Sequence, residues 1–225
     1  MRLSHMSAAA GEPPTPEQIQ QWRRRISPPD NELPAGVGLT ALLGRSEEAA
    51  VGITLIEAFS AGFRFTLAVR VRQARPHLVH GGLHMFVSSH LPPGVVIALE
   101  DRLLLGIEYA DGQRATTVDD MPFPGPAATA DDQRLVLVQN GGGGGDLSLD
   151  LTYWVAPLPP EGPTTFVLAW PGFGIAESRT VLDGTAIRGA ADRSQILWPP
   201  QPARQPQELP SPPRPSSGWF AEPSG

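Results

Sequence analysis

The sequence contains no cysteine and no lysine: its 17 basic residues are all arginine, set against 23 acidic ones for a net charge of -6. Without cysteine there is no disulfide, no thiol nucleophile, and no cysteine-ligated zinc or iron–sulfur cluster. Without lysine, a Walker-type phosphate loop and the lysine–glutamate pair of a protein kinase are excluded. Schiff-base chemistry is excluded as well, because arginine cannot supply a deprotonated amine. The acidic balance argues against bulk nucleic-acid binding, which rests on neutralising phosphates. No run of about 18 apolar residues occurs, as a membrane-spanning helix would need, and Met1–Gly11 has no apolar stretch of signal-peptide length. The expected location is the cytoplasm.

What the chain has in excess is proline and glycine, 26 and 24 of 225 residues. Their distribution divides it into three regions. Residues 199–225 hold nine prolines and almost no aliphatic side chains, the composition of a disordered tail. Residues 1–32 read as a mostly flexible arm carrying one helix over about 16–26. Thr15 serves as its N-cap, Pro16 as its first residue and Gln18 as the capping-box partner. Ile19, Trp22 and Ile26 share one face of that helix, and Pro28 and Pro29 end it.

Residues 33–198 read as the folded domain, with a dominant period of two. Phe63, Phe65, Leu67, Val69 and Val71 alternate with Arg64, Thr66, Ala68, Arg70 and Arg72. Leu147, Leu149, Leu151, Tyr153 and Val155 alternate with Ser148, Asp150, Thr152, Trp154 and Ala156. This is the pattern of strands with one face in a core. Noisier runs predict further strands at Val37–Leu43, Val51–Phe59, Leu83–Val87, Val95–Leu99, Leu103–Tyr109, Leu135–Val138, Phe166–Trp170 and Ile175–Leu182. Asp111-Gly112 predicts a two-residue hairpin loop, and Ser60-Ala61-Gly62 a turn with positive φ at the glycine. Pro122–Asp132 and Asn140–Asp146 read as long mobile loops. A short helix is expected from Asp183 as N-cap through Ser194, with Ile187, Ala190 and Ala191 inward. The fold class expected is all-β: an antiparallel β-sandwich, immunoglobulin-like or jelly-roll-like, with a closed barrel as the alternative.

Three stretches carry a family resemblance. They are Leu43-Gly44-Arg45-Ser46 with Gly62-Phe63-Arg64-Phe65; Leu105 to Thr116; and the glycine run with Tyr153-Trp154-Val155, Phe166 to Pro171 and Leu197-Trp198-Pro199. The pattern resembles a group of uncharacterised proteins of high-GC actinobacteria over about residues 39–199. The resemblance implies a shared β-rich fold, and no activity or catalytic residue.

Several side-chain groups invite a functional reading. His77, His80, His84 and His90 fall in one short window and could supply metal nitrogens. Their spacings of 3, 4 and 6 do not converge on a strand without a loop, so a polar edge strand with surface histidines is the favoured reading. Arg64, Arg70 and Arg72 line the outward face of one strand, as an anion-binding stripe or as cross-strand ion-pair partners of residues such as Asp150 or Glu108. Glu57 falls on the inward parity of Val51, Ile53, Leu55 and Phe59, where burial would raise its proton affinity, unless a bulge returns it to water. Gly141–Gly145 leads into a strand, and reads as a flexible hairpin rather than a phosphate loop. Ser88-Ser89-His90 lacks the elbow of a nucleophilic serine.

Trp22 with Arg23, Arg24 and Arg25 forms an aromatic anchor beside a cationic flank. It is suited to a protein groove or an anionic membrane, or to packing on its own domain. Trp219-Phe220 in the tail is a docking candidate. Together these features favour a non-enzymatic protein-interaction or scaffold module without a cofactor. The alternative is a small-ligand or metal-binding protein, possibly hydrolytic, using the His77–His90 region.

Overall fold

The computed structural model describes residues 15–74, 82–88, 96–118 and 134–199. The chain begins with α1 (Pro16–Ile26), whose capping box is closed at both ends: the Gln18 amide donates to Thr15 Oγ1, and the Thr15 amide donates to Gln18 Oε1. The strands follow as β1 (Glu32–Leu33), β2 (Ala35–Val37), β3 (Ala41–Arg45), β4 (Ala49–Phe59) and β5 (Gly62–Val71). After α2 (Leu83–Val87) come β6 (Leu104–Tyr109), β7 (Arg114–Thr116), β8 (Val136–Gly144), β9 (Ser148–Ala156), β10 (Pro163–Trp170) and β11 (Ile175–Asp183). Helix α3 (Gly184–Ala191) and β12 (Gln195–Ile196) complete the described chain.

All pairings are antiparallel, and successive hairpins are dealt alternately to two sheets. β4–β5 and β8–β9 join through β5–β9 into a six-stranded sheet, in the order β2-β4-β5-β9-β8 with β3 also on β4. β6–β7 and β10–β11 join through β6–β10 into a four-stranded sheet, in the order β11-β10-β6-β7. β1 and β12 form a separate ribbon. The molecule is an antiparallel β-sandwich, not a barrel.

The alternation expected of β5 holds: Phe63, Phe65, Leu67, Val69 and Val71 are buried. Phe65 stacks on Tyr153 at 5.3 Å within its sheet and meets Phe166 of the facing sheet edge-on at 5.2 Å. This aromatic group joins the two layers at the centre of the core. Asp183 caps α3 through the Thr185 amide, and Ile187, Ala190 and Ala191 enter the core as expected. One side of the sandwich is closed where β3 meets β11, with Ser178 donating to the Leu43 carbonyl. On the other side β7 and β8 approach, and the Leu135 amide donates to Gln113 Oε1.

Several local expectations are corrected. Leu83–Val87 is a helix rather than a strand, with Leu83, Met85, Phe86 and Val87 all buried. Only His84 interrupts the apolar residues of this five-residue run, too short a pattern to separate strand from helix. Val96–Ala98 is not a strand, and Leu99–Asp101 is one 3₁₀ turn. The run at 37–43 splits at Gly38–Thr40, so that β2 and β3 pair with successive halves of β4. The Asp111-Gly112 loop has three residues, Ala110 to Gly112. Its Tyr109–Gly112 turn and the positive φ of Gly112 are those of a bulged three-residue hairpin. Gly62 does not adopt positive φ; it is required because a Cβ there would strike the Val155 carbonyl and the Trp154 ring. Asn140–Gly144 is not a loop but the second half of β8. The loop expected at Pro122–Asp132 lies outside the described residues.

Thr164, on the inner face of β10, is fully buried, and its hydroxyl finds no hydrogen-bond partner among the described residues. A buried, unpaired hydroxyl costs about 1–3 kcal/mol. Thr164→Val is therefore expected to raise stability by about 1 kcal/mol in urea denaturation; a loss of stability would mean that the hydroxyl is satisfied.

Candidate functional site

The two outer faces of the sandwich differ. On the six-stranded sheet, charged side chains are paired along the surface. The inward position expected of Glu57 is corrected by a bulge between Ile53 and Leu55. Beyond it Ile56 and Ala58 point inward, Leu55 is exposed, and Glu57 faces out opposite Arg64. Arg64 donates to Glu57 Oε2 from Nε at 2.8 Å, with its NH2 2.7 Å from the same oxygen, and lies 5.5 Å from the centre of the Phe59 ring. Arg70 pairs with Asp150 at 2.8 Å, and also donates to the carbonyls of Val69 and Leu149. Arg72 reaches Glu47 at 3.9 Å. Arg64 and Arg70 thus carry ion pairs within the sheet, and Arg72 one to the β3–β4 turn.

Part of the same face is covered by α1, which lies against β8 and β9. Trp154 has the outward parity of its strand yet is completely buried, in a small cluster with Phe59 and Ala156. Its indole N–H donates to the Arg25 carbonyl at 2.9 Å, and Asn140 donates to the Ile26 carbonyl. Arg25 donates through its guanidinium to the Arg134 carbonyl. Trp22 is half-buried, while Arg23 and Arg24 are exposed. The signal for this docking was present in the sequence: a tryptophan on the polar parity of a strand, and an apolar stripe on the helix.

Among the described residues nothing covers the outer face of the four-stranded sheet. In one row Val167, Gly106 and Thr116 are neighbours on β10, β6 and β7; in the next, Ala169 stands beside Leu104. The absent side chain at Gly106 and the small one at Ala169 leave a groove of about 200 Å³ with a mainly apolar floor. Val118, half of whose surface is exposed, lies at its rim. Glu108 stands at one side between two guanidiniums, 2.7 Å from Arg114 and 3.3 Å from Arg179; Arg179 also approaches Glu177. The hydrogen bond from Arg114 and the two positive charges hold the Glu108 carboxyl below the usual carboxylate range. Near neutral pH it is an ionised structural partner, poorly suited to take or give a proton.

Other ionisable groups in the core are equally committed. Burial pushes the Tyr109 phenol up, and it donates to the Pro157 carbonyl at 2.6 Å. Burial likewise pushes up the Tyr153 phenol. Both remain protonated.

His84 is exposed on α2. His77, His80 and His90 lie outside the described residues, as do Ser89, Trp219 and Phe220. Among the described residues no group of three metal-ligating side chains converges, and no helix is long and apolar enough to cross a membrane. The groove itself escaped sequence reading. Its floor is assembled from three strands, and its signal is an absence of bulk at Gly106. Comparisons with protein-family models, curated proteins and solved structures find no match to this chain.

Proposed function

We propose that the protein is a binding module whose recognition face is the outer surface of the four-stranded sheet. The observation that carries this reading is the groove over Gly106. An apolar floor ringed by Glu108, Arg114, Arg179 and Glu177 has the anatomy of an interaction site, with a desolvated centre and a polar rim. Its size suits one large apolar side chain from a partner protein, the kind of anchor that dominates interface energetics. Because the rim charges already neutralise one another, recognition here depends on shape and apolar contact more than on a charged ligand. In this reading Arg23 and Arg24 at the exposed end of α1, and Trp219-Phe220 of the tail, are accessory contacts. Their contribution would be to avidity rather than to the anchor.

Gly106→Leu tests the reading. A Cβ at this position meets nothing closer than 3.6 Å, and replacing a strand glycine adds up to about 1 kcal/mol of stability. The variant is expected to fold normally, to fill the groove, and to lose the partners that the wild-type chain captures from lysate of its source organism. Equal capture by both proteins, or none by either, would overturn the proposal.

A further inference from the structure

β8 is an edge strand, and its second half is unlike the other edges. Gly141, Gly142, Gly143 and Gly144 pair with β9 on one side, are exposed, and meet no strand on the other side among the described residues. The Gly145 amide donates to the Ser148 carbonyl. Backbone groups along an antiparallel strand alternate in direction, so Gly142 and Gly144 direct their N–H and C=O groups away from β9. The same two glycines have φ of 148° and 154°, whereas Gly141 and Gly143 do not have positive φ. Strand twist arises from the handedness of L-residues. A segment whose φ alternates in sign about the fully extended value loses that twist and lies flat. Flat edges without charged or proline guards are templates for pairing with another chain.

We infer that the Gly141–Gly144 edge of β8 pairs antiparallel with the same edge of a second copy of this chain, about a two-fold axis at Gly143. The register follows from the backbone. Gly142 lies opposite the Gly144 of the partner copy and the reverse, giving about four interstrand hydrogen bonds, with the two copies of Gly143 facing each other as a non-bonded pair. The occupant is a second copy rather than a foreign peptide for a physical reason. Recognition of a peptide by an added strand takes its specificity from alternating side-chain pockets, and four glycines supply none. What they supply is a flat backbone with no protruding Cβ, and their own copy matches it. Asp146 at the hairpin tip lies against Gly82, and Gly141–Gly144 itself carries no charge to oppose the pairing. This inference is independent of the groove, which lies on the other sheet and would be present twice in the dimer.

The test is sedimentation velocity on the full chain from ~10 μM to ~1 mM, since a few backbone bonds support only weak association. At Gly143 a Cβ would meet nothing within 4 Å, so charged side chains are accommodated there. Gly143→Lys and Gly143→Glu each place like charges directly opposite one another at the two-fold. The wild type is expected to approach the dimer mass with rising concentration, each variant alone to remain monomeric, and an equimolar mixture of the two to recover the dimer. Amide exchange at Gly142 and Gly144 is expected to slow with concentration in the wild type, while Gly143, bonded to β9, does not change. A wild-type monomer throughout the range, a dimer in either variant alone, or a mixture that stays monomeric would overturn the inference.

Discussion

Gly144→Ala is expected to lower the stability of the protein by about 3 kcal/mol, and Gly142→Ala by a similar amount, while Gly141→Ala and Gly143→Ala change it by less than about 0.5 kcal/mol. The contrast comes from two facts that alternate along β8. Gly142 and Gly144 have φ of 148° and 154°, a conformation that side chains with a Cβ rarely adopt. A Cβ on Gly142 would also lie 2.8 Å from the Asp150 carbonyl, and one on Gly144 would run into the Ser148 carbonyl, with the Leu149 backbone 2.9 Å away. These obstacles are backbone atoms of the paired strand, so relief requires moving β9. At Gly141 and Gly143 the Cβ meets nothing within 4 Å. Urea denaturation of the four variants checks the prediction; equal effects at all four positions would contradict the alternating geometry.

Phe65→Ala is expected to cost about 3–5 kcal/mol, the range for removing a large buried aromatic side chain. Phe65 is fully buried between Tyr153 of its own sheet and Phe166 of the facing one. Its removal takes away the ring that both others touch. The surrounding positions are strands fixed by hydrogen-bonded ladders, so they close over the space only in part, and the cavity adds to the lost transfer free energy. Phe65→Leu, which keeps most of the volume, is expected to lose less than half as much. Chemical denaturation at constant slope reads both values. A loss below about 1.5 kcal/mol for Phe65→Ala would move the centre of the core elsewhere.

The legible parts of the fold are those written over short distances. The alternation at 63–72 and 147–156 marked β5 and β9, and both lie where the pattern put them. Thr15, Pro16 and Gln18 announced α1, and Asp183 announced α3, because capping is settled within one turn. The pairing of Arg70 with Asp150, read as one of two options from the stripe, joins residues 80 positions apart on neighbouring strands.

Elsewhere the local signal was ambiguous or misleading. Leu83–Val87, five residues with a single polar one at His84, was too short to show which period it follows. Glu57 broke its strand's alternation because a single extra residue at the bulge reverses the parity of all that follows. The glycine run had the composition of a loop, and becomes a strand only because Leu149 and Leu151 of β9 need a bare backbone beside them. The groove was invisible for a different reason: Gly106 is one glycine in a predicted strand until β7 and β10 take their places on either side.

By itself, then, the sequence determined most of the elements: period two in the longer strands, caps on two helices, and a composition from which lysine and cysteine chemistry are missing. Tertiary structure decided which faces are covered. It closed α1 over Trp154, paired the arginines of one sheet, and left a hollow in the other. Periodicity tells each residue which side of its own strand it occupies; whether that side is core, cover or open surface depends on contacts with segments far along the chain.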